Sequence, residues 1–351
     1  MPAQEVAIVG CLLGTAVGDA IGLPCEHLSP QRQRKLFPGL DGHHFLFGRG
    51  MTSDDTEHTA MVAQSLIASA GEPEVFASDL AWRMRFWLLG LPIVIGLATL
   101  RGLLKLWMGY GPESSGVFSA GNGPAMRSAL IGVCYGGDME RMRRLVRIST
   151  RLTHTDPKAE YGALAVALAA RSASMTQTVS AQQYLQALQD LLGEEGCEMV
   201  ELARRATAEH KKSTEQFAAD MGLNRGVSGY VYHTVPVALH AWFAHQSDFR
   251  EAVLAAVRCG GDTDTVAAIV GGIAGAGVGP EGIPAEWRHG LWEWPRSAEW
   301  LTALADRLDQ VVTEGQRRPA LPLSVWGLPL RNLLFLLVIM AHAVRRTLPP
   351  Y

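Results

Sequence analysis

The sequence predicts an all-α fold, and three observations support this prediction. Helical periodicity runs through most of the 351 residues, whereas no segment alternates cleanly between polar and apolar residues as a half-buried strand does. Hydrophobic residues make up 48% of the chain and charged residues only 19%, so a sizeable core can form. Loops rich in glycine and proline separate the periodic segments, and no low-complexity linker divides them.

The periodic segments, taken in chain order, predict the following helices. We expect them at roughly 4–20, 54–70, 74–90, 93–108, 122–135, 138–152, 157–173, 180–193, 196–210, 231–245, 248–259, 264–276 and 297–313. The first is apolar from Val6 to Gly18, but Glu5 precedes it without any Lys or Arg and Asp19 follows. We therefore expect a buried helix there and not a signal peptide.

The C-terminal part of the chain differs from the rest. We expect one domain over residues 1–315 and an extension over residues 316–351, which begins with a polar, proline-containing link and contains an apolar helix. Its apolar segment, Leu333–Val344, would be about 18 Å long as a helix, too short for a bilayer core of about 30 Å. The apolar side chains cover the whole circumference, which favours burial against the main domain or a second protomer and no membrane span.

Charge and cysteine content narrow the function classes. The net charge is −3 and the pI is near 6.4. The chain therefore lacks the excess of positive charge that is typical of nucleic-acid-binding proteins. The five cysteines show no Cys-x-x-Cys spacing. This scattered, odd number predicts reduced thiols and a cytoplasmic protein.

Two acidic clusters, far apart in the sequence, each open a predicted helix. Residues 53–56 read Ser-Asp-Asp-Thr, and residues 260–265 read Gly-Gly-Asp-Thr-Asp-Thr. Either cluster alone is explained by ordinary helix capping. Together they supply carboxylates and hydroxyls beside a helix that is apolar enough to be buried, where unpaired negative charge is costly. Such an all-oxygen donor set favours a hard divalent cation, Mg²⁺ or Mn²⁺.

Three further segments carry polar residues in loops. Residues 18–26 end the first helix and place Glu26 in a loop, residues 119–127 form a glycine-rich loop entering a helix, and residues 153–157 form a polar loop around His154. A glycine-rich loop of this kind suits phosphate, although alone it is more often a simple turn. Asp19 fits a buried structural acid and a supporting role near the site equally well.

Taken together in chain order, these five segments resemble the ADP-ribosylglycohydrolase family, and the resemblance covers residues 5 to about 310. The motifs are Gly-Asp-Ala-x-Gly-x-Pro-x-Glu, Asp-Asp-Thr, Gly-Asn-Gly-x-x-Met-Arg, Thr-His-x-Asp-Pro and Gly-Gly-Asp-Thr-Asp-Thr. The resemblance implies a compact orthogonal multi-helix bundle with a central binuclear metal site. Two Mg²⁺ or Mn²⁺ ions are the implied cofactors.

The resemblance also implies roles for individual residues. One metal would be bound by Ser53, Asp54, Asp55 and Asp264. The second metal would be bound by Glu26, Asp262, Asp264 and Thr265, with Asp264 bridging the two. The implied substrate-binding residues are Ser119, Gly121, Asn122, His154 and Tyr230.

Two departures from the family pattern are visible. Ser53 stands where the family usually has threonine, and because serine keeps the hydroxyl, metal binding should survive. The stretch 110–118 before the glycine-rich loop does not follow the family pattern. The resemblance therefore leaves open the acceptor, that is, the group to which ADP-ribose is attached in the substrate.

The implied reaction is hydrolysis of the glycosidic bond that joins ADP-ribose to a protein side chain. Metals can orient the ribose hydroxyls and activate a water molecule. The residues we assign to catalysis are Glu26, Asp55 and Asp262. The general base is either Glu26 or a metal-activated water positioned by Asp55 and Asp262.

Three functions stay open from the sequence. The leading hypothesis is a metal-dependent hydrolase that removes ADP-ribose from a modified protein, with arginine as the favoured acceptor. The second is an immunity-type binding protein that masks an ADP-ribosyltransferase with little or no catalysis. The third is a hydrolase of another ADP-ribose-containing metabolite. The expected partners are an ADP-ribosylated protein, ADP-ribose, an ADP-ribosyltransferase and a second copy of the chain through the C-terminal helix, without nucleic acid.

Overall fold

The computed structural model describes residues 4–349 and confirms the all-α prediction. The first nine helices are α1 Gln4–Gly22, α2 Pro30–Leu36, α3 Asp54–Ser69, α4 Pro73–Trp87, α5 Leu97–Trp107, α6 Gly123–Met126, α7 Ala129–Tyr135, α8 Met139–Arg151 and α9 Pro157–Met175. The next nine are α10 Ala181–Leu192, α11 Cys197–Ala208, α12 Thr214–Asp220, α13 Val231–Ala244, α14 Phe249–Arg258, α15 Thr263–Gly282, α16 Ala285–Gly290, α17 Ala298–Glu314 and α18 Gly327–Thr347. Within residues 4–349, extended pairing is limited to isolated bridges between loops.

The predicted helices differ from the observed ones mainly where helices are short. The sequence analysis missed α2, α12 and α16, which have six or seven residues and too few turns to show a clear period. The predicted helix at 122–135 is two helices, α6 and α7. Helix α15 continues beyond residue 276 to Gly282, with a kink where Gly279 adopts a φ of 70° ahead of Pro280.

The central feature of the fold is the antiparallel pair formed by α1 and α15. A Cβ atom added at Gly14 would lie 2.1 Å from the carbonyl oxygen of Gly271, and one added at Gly10 would lie 2.1 Å from that of Gly275. The two backbones therefore touch directly, which only glycine permits. At the other end of the pair, the Thr263 hydroxyl donates a 2.8 Å hydrogen bond to the carbonyl of Gly22. This packing places the C-terminal end of α1 beside the N-terminal end of α15.

Two helices among the described residues are long and apolar enough to cross a membrane by length and composition. The first, Gln4–Cys25, is 94% buried inside the protein over its most apolar window, so it is a core helix as the sequence predicts. The second is α18, of which 28% is buried. The prediction of a short apolar helix at Leu333–Val344 was wrong in length, since α18 has 21 residues. Its length alone therefore no longer excludes a membrane span.

Helix α18 packs on the main domain through one face only. Phe335 and Val338 are buried in a small second core with Leu23, Phe45 and Met51. The opposite face is apolar and exposed. Its exposed side chains include Leu330, Leu333, Leu337, Met340 and Val344. The sequence-based expectation of packing against the main domain is thus met by one face of the helix. The division of the chain at residue 315 stays a prediction.

Candidate metal and substrate site

Helix α1 organises the first acidic cluster through Asp19. The backbone N–H of Ser53 donates to both carboxylate oxygens of Asp19, at 3.0 and 2.9 Å. The Thr56 hydroxyl donates to the same carboxylate at 2.5 Å, and the Thr56 backbone N–H does so at 3.2 Å. Asp19 is completely buried. It therefore fixes the first turn of α3, and with it Asp54 and Asp55, relative to the core pair.

The second acidic cluster follows a glycine turn that meets two other loops. Gly260 and Gly261 have φ angles of 67° and 83°, which favour glycine. The Gly261 N–H donates to Leu28 at 2.8 Å, and its carbonyl accepts from the His27 N–H at 2.7 Å. The Asp262 N–H donates to the carbonyl of Val227 at 2.8 Å. These bonds hold the loop that carries Glu26 directly against the start of α15.

The carboxylates converge at the junction of these segments. Oxygens of Glu26, Asp262 and Asp264 all lie within 4.8 Å of one another, a spacing that one divalent ion could fill. The Asp55 Oδ2 atom accepts a 2.9 Å hydrogen bond from the Ser53 hydroxyl.

The hydroxyl of Thr265 joins the two clusters, because it donates to the same Asp55 oxygen at 3.2 Å. Asp54 lines the same cavity as Glu26, Asp262 and Asp264. The structure thus brings all seven predicted metal ligands into one region, although their individual roles stay predictions.

The cluster is electrostatically costly without a cation. Burial raises the pKa of Asp55 well above its usual range, and the charges of Asp19 and Asp54 raise it further. Burial followed by the charges of Glu26 and Asp262 does the same to the pKa of Asp264. Buried carboxylates of this kind hold protons unless a positive charge replaces them.

Two buried oxygens in the cluster support a metal as that positive charge. Asp55 Oδ1 and Asp264 Oδ1 are buried, and no hydrogen-bond partner for either is found within residues 4–349. Buried polar atoms in proteins nearly always have a partner, so these two atoms point to an additional ligand. The all-oxygen donor set suits Mg²⁺ or Mn²⁺. The residues present therefore fit the implied metals.

The cavity beside the cluster measures about 730 Å³, which is large enough for a small-molecule substrate. Four of the five predicted substrate-binding residues line it: Ser119, Gly121, Asn122 and His154. The Asn122 side-chain amide donates a 2.6 Å hydrogen bond to Asp262 Oδ2. This residue therefore orients a predicted metal ligand as well as facing the cavity.

His154 is buried and neutral at the base of this cavity. Burial, reinforced by the charge of Arg127, lowers the pKa of His154 to about 3. Its Nδ1 atom lies 2.8 Å from the Thr153 hydroxyl. A Cβ atom at Gly121 would lie 2.8 Å from His154 Nε2, so glycine is needed for the loop to approach the ring. This ring can exchange a hydrogen bond with a bound ligand without adding charge.

Tyr230 lies beside the cavity and not among the residues that line it. Gly229, its neighbour, is in the wall. The Tyr230 hydroxyl accepts a 3.2 Å hydrogen bond from Lys158, and its ring meets the His233 ring edge-on at 5.0 Å. A role in flanking the substrate stays a prediction.

Sequence reasoning missed several charged residues near the site. Arg225 lines the cavity and is the kind of group that pairs with a pyrophosphate. Glu57, in the first turn of α3, is buried and accepts a 2.5 Å hydrogen bond from Arg296. Burial alone would raise the pKa of Glu57, but Arg296 and Arg331 outweigh it and lower that pKa. Glu57 stands directly after the first cluster, and this adjacency was the only sequence signal for it.

Fold and site together define a class of protein: an all-helical chain with a buried carboxylate cluster opening into a ligand-sized cavity. The family model for ADP-ribosylglycohydrolase matches residues 2–318. The chain therefore belongs to the ADP-ribosylglycohydrolase family, as the motifs suggest.

Individual relatives agree with this membership. The ADP-ribosyl-dinitrogen reductase glycohydrolase of Rhodospirillum rubrum is 28% identical over 82% of this chain and 90% of its own length. The ADP-ribosylarginine hydrolase Tri1 of Pseudomonas putida is 28% identical over 86% of this chain and 78% of its own length. A solved structure described as an ADP-ribosylglycohydrolase-related protein complex superposes with a TM-score of 0.64 at 28% identity, covering 88% of this chain and 99% of that chain.

Proposed function

We propose that this protein is a metal-dependent hydrolase that removes ADP-ribose from a modified protein side chain, with arginine as the acceptor. The observation that carries the proposal is the carboxylate cluster at the wall of the cavity, with buried Asp55 and Asp264 oxygens that lack partners within residues 4–349. Family membership supports the reaction class. The name of the relative Tri1, an arginine hydrolase, supports the acceptor.

In the proposed reaction, water replaces the acceptor nitrogen at the anomeric carbon of the ribose. Bound divalent ions would supply positive charge that keeps the carboxylates ionised and polarises the ribose hydroxyls and the water. Glu26 faces the cavity and is the carboxylate that we assign to take the proton from that water. As the bond between the anomeric carbon and the guanidine nitrogen breaks, that nitrogen gains one proton, which balances the proton that Glu26 takes from the water.

The remaining residues of the cavity bind and orient the substrate. Asn122 holds Asp262 in place through its 2.6 Å hydrogen bond. Arg225 would pair with the pyrophosphate, and neutral His154 would hydrogen-bond the ligand beside Gly121. Residues 94–99 line one side of the cavity.

A panel of linkages tests the proposal. Peptides carrying ADP-ribose on arginine or on serine, and a free ADP-ribose-containing metabolite, would be incubated with the full-length protein and Mn²⁺, with Asp264→Asn as the matched control. We expect free ADP-ribose from the arginine peptide and none with the control. Release only from serine would discard the arginine acceptor and keep the reaction class. Release only from the metabolite would discard a protein substrate.

Tight binding of the modified peptide or of an ADP-ribosyltransferase without any release would favour the immunity-type alternative. The carboxylate cluster argues against this alternative. Burial and neighbouring charges raise the pKa values of Asp55 and Asp264, and a protein that only binds has no need of such destabilised carboxylates.

We also propose that the exposed face of α18 pairs with a second copy of the chain. Its exposed apolar residues recur at alternating intervals of three and four, the spacing of a coiled-coil seam. They are Leu330, Leu333, Leu337, Met340 and Val344. Analytical ultracentrifugation should show a dimer for the wild type and a monomer for Leu337→Glu. A monomeric wild type that binds lipid vesicles would replace this proposal with membrane attachment.

A further inference from the structure

Helix α18 lies beyond the part of the chain that matches the family model, which ends at residue 318, yet it reaches the metal-ligand segments. Two of its arginines, Arg331 and Arg346, are separated by about 22 Å along the helix. Each contacts the backbone next to a different part of the carboxylate cluster.

Arg346 holds the loop that carries Glu26. Its guanidinium donates one hydrogen bond to the Glu26 carbonyl at 2.9 Å and another to the Pro24 carbonyl at 2.6 Å. His342, one turn earlier on α18, lies 2.9 Å from the same Pro24 oxygen through its Nε2 atom. The loop that carries Glu26 is therefore fixed by α18 at Pro24 and Glu26. The Gly261 turn fixes the residues that follow, His27 and Leu28.

Arg331 holds the segment that leads into the first acidic cluster. It donates a 2.5 Å hydrogen bond to the Thr52 carbonyl and a 3.0 Å hydrogen bond to Glu293. The Thr52 N–H donates to the same Glu293 carboxylate at 2.7 Å. Both polar backbone groups of the residue before Ser53 are thus bound by one buried ion pair.

An apolar core connects these two contact points. Leu23 and Met51, which precede Pro24 and Thr52, pack with Phe335 and Val338 of α18. A single helix therefore contacts two of the three backbone segments that carry predicted metal ligands. It does so by hydrogen bonds near its ends and by apolar contacts between them.

We infer that Arg346 and α18 position Glu26 for metal binding, so that the C-terminal helix is part of the machinery that sets metal affinity. The inference rests on the proposed function. It assigns to Arg346, which would not contact a metal itself, the role of positioning a metal ligand. Arg346 acts through the backbone of Glu26, and residues that orient metal ligands commonly change metal affinity when they are lost.

Arg346 also carries a positive charge near the acids, and this charge gives an opposite expectation. If the charge dominated, its removal would strengthen cation binding because repulsion would fall. If positioning dominates, as we infer, removal weakens binding because Glu26 loses its fixed place. The sign of the change therefore separates the two effects.

The experiment compares Arg346→Ala with Arg345→Ala in the full-length protein. Arg345 is the matched control because it is the neighbouring arginine and is exposed. Within residues 4–349 its guanidinium donates only to the Pro349 carbonyl, at 3.3 Å. Calorimetric titration with Mn²⁺ should show a dissociation constant raised about tenfold for Arg346→Ala and unchanged for Arg345→Ala. Arg346→Lys, which keeps the charge and one donor direction, should fall between them.

Each result decides the matter. Mn²⁺ affinity of Arg346→Ala equal to or tighter than that of Arg345→Ala would overturn the inference, even if the melting temperature fell. If Arg346→Ala does not fold, Arg346→Lys decides it, and wild-type affinity in that variant overturns the inference. A wild-type protein that binds no Mn²⁺ would instead refute the proposed function, so the two failures are distinguishable.

Discussion

The carboxylate of Asp19, buried in the middle of the fold, receives the backbone N–H of Ser53 on both of its oxygens, at 3.0 and 2.9 Å. Through this contact the core helix α1 fixes the first turn of α3. The same helix leads into the loop of Glu26, so a single element positions two of the three segments that carry predicted metal ligands.

Asp19→Asn tests this relationship. The amide keeps one acceptor oxygen and places an N–H₂ group where the N–H of Ser53 or Thr56 now donates, which leaves a buried donor without a partner. We expect a loss of about 1–3 kcal/mol in the free energy of unfolding and roughly tenfold weaker Mn²⁺ binding. Urea denaturation and calorimetry measure the two effects. Asp190→Asn, at an exposed position, is the control, and equal behaviour of the two variants would contradict the role of Asp19.

Substitutions at two predicted ligands should differ sharply. Asp264→Asn removes a charge from the proposed bridging ligand, so turnover should fall to background at saturating Mn²⁺. Ser53→Thr keeps the hydroxyl that donates to Asp55 and should be nearly silent. Initial rates of ADP-ribose release compare both with the wild type. Near wild-type turnover in Asp264→Asn would show that the ligand assignment is wrong.

Gly14→Ala tests the contact between α1 and α15. Alanine normally stabilises a helix by about 1 kcal/mol relative to glycine. Here the new Cβ atom would lie 2.1 Å from the Gly271 carbonyl oxygen, so the pair must separate. We expect a loss of about 3 kcal/mol in the free energy of unfolding. Gly137→Ala, where a Cβ atom has no neighbour within 4 Å, is the matched control and should change stability little.

The stability of the metal-free protein should depend on pH in a defined direction. Burial raises the pKa of Asp19 from 3.8 to about 7, against the opposing effect of its hydrogen bonds from Thr56 and Ser53. The folded chain therefore holds this proton more tightly than the unfolded chain does. The resulting stabilisation is fully present below pH 3.8 and is lost as the pH rises through about 7.

Asp55 and Asp264 shift in the same direction and add to this trend. In EDTA, the melting temperature should fall between about pH 5 and about pH 8, and Mn²⁺ should oppose the fall because it replaces the protons. Melting curves at several pH values measure this. A melting temperature that rises over the same interval in EDTA would contradict the electrostatic account of the cluster.

Much of the fold could be predicted because the long helices carry strong periodic patterns. The helices from α3 to α5, for example, lie within a few residues of their predicted places, whereas α2 depends on the Ser29 cap and Pro30 and leaves little periodic signal. The motifs located the region of the site. They could not show that Asn122 binds Asp262, since that contact joins residues 140 positions apart.

The role of the C-terminal segment was the hardest part to predict. The sequence shows Arg331 and Arg346 only as charges at the ends of an apolar stretch. Their partners are backbone carbonyls of Thr52, Pro24 and Glu26, and backbone acceptors leave no trace in side-chain patterns. The helix extends beyond residues 333–344 at both ends, and Arg331 and Arg346 lie in these two extensions.

The central claim, metal-dependent removal of ADP-ribose, is tested most directly by one measurement. Full-length protein would be incubated with an arginine-ADP-ribosylated protein in Mn²⁺, then in EDTA, and then after Mn²⁺ is restored, and free ADP-ribose would be quantified at each step. The account predicts release with Mn²⁺, its loss in EDTA and its recovery when the metal returns. Absence of release in Mn²⁺, or equal release in EDTA, would contradict it.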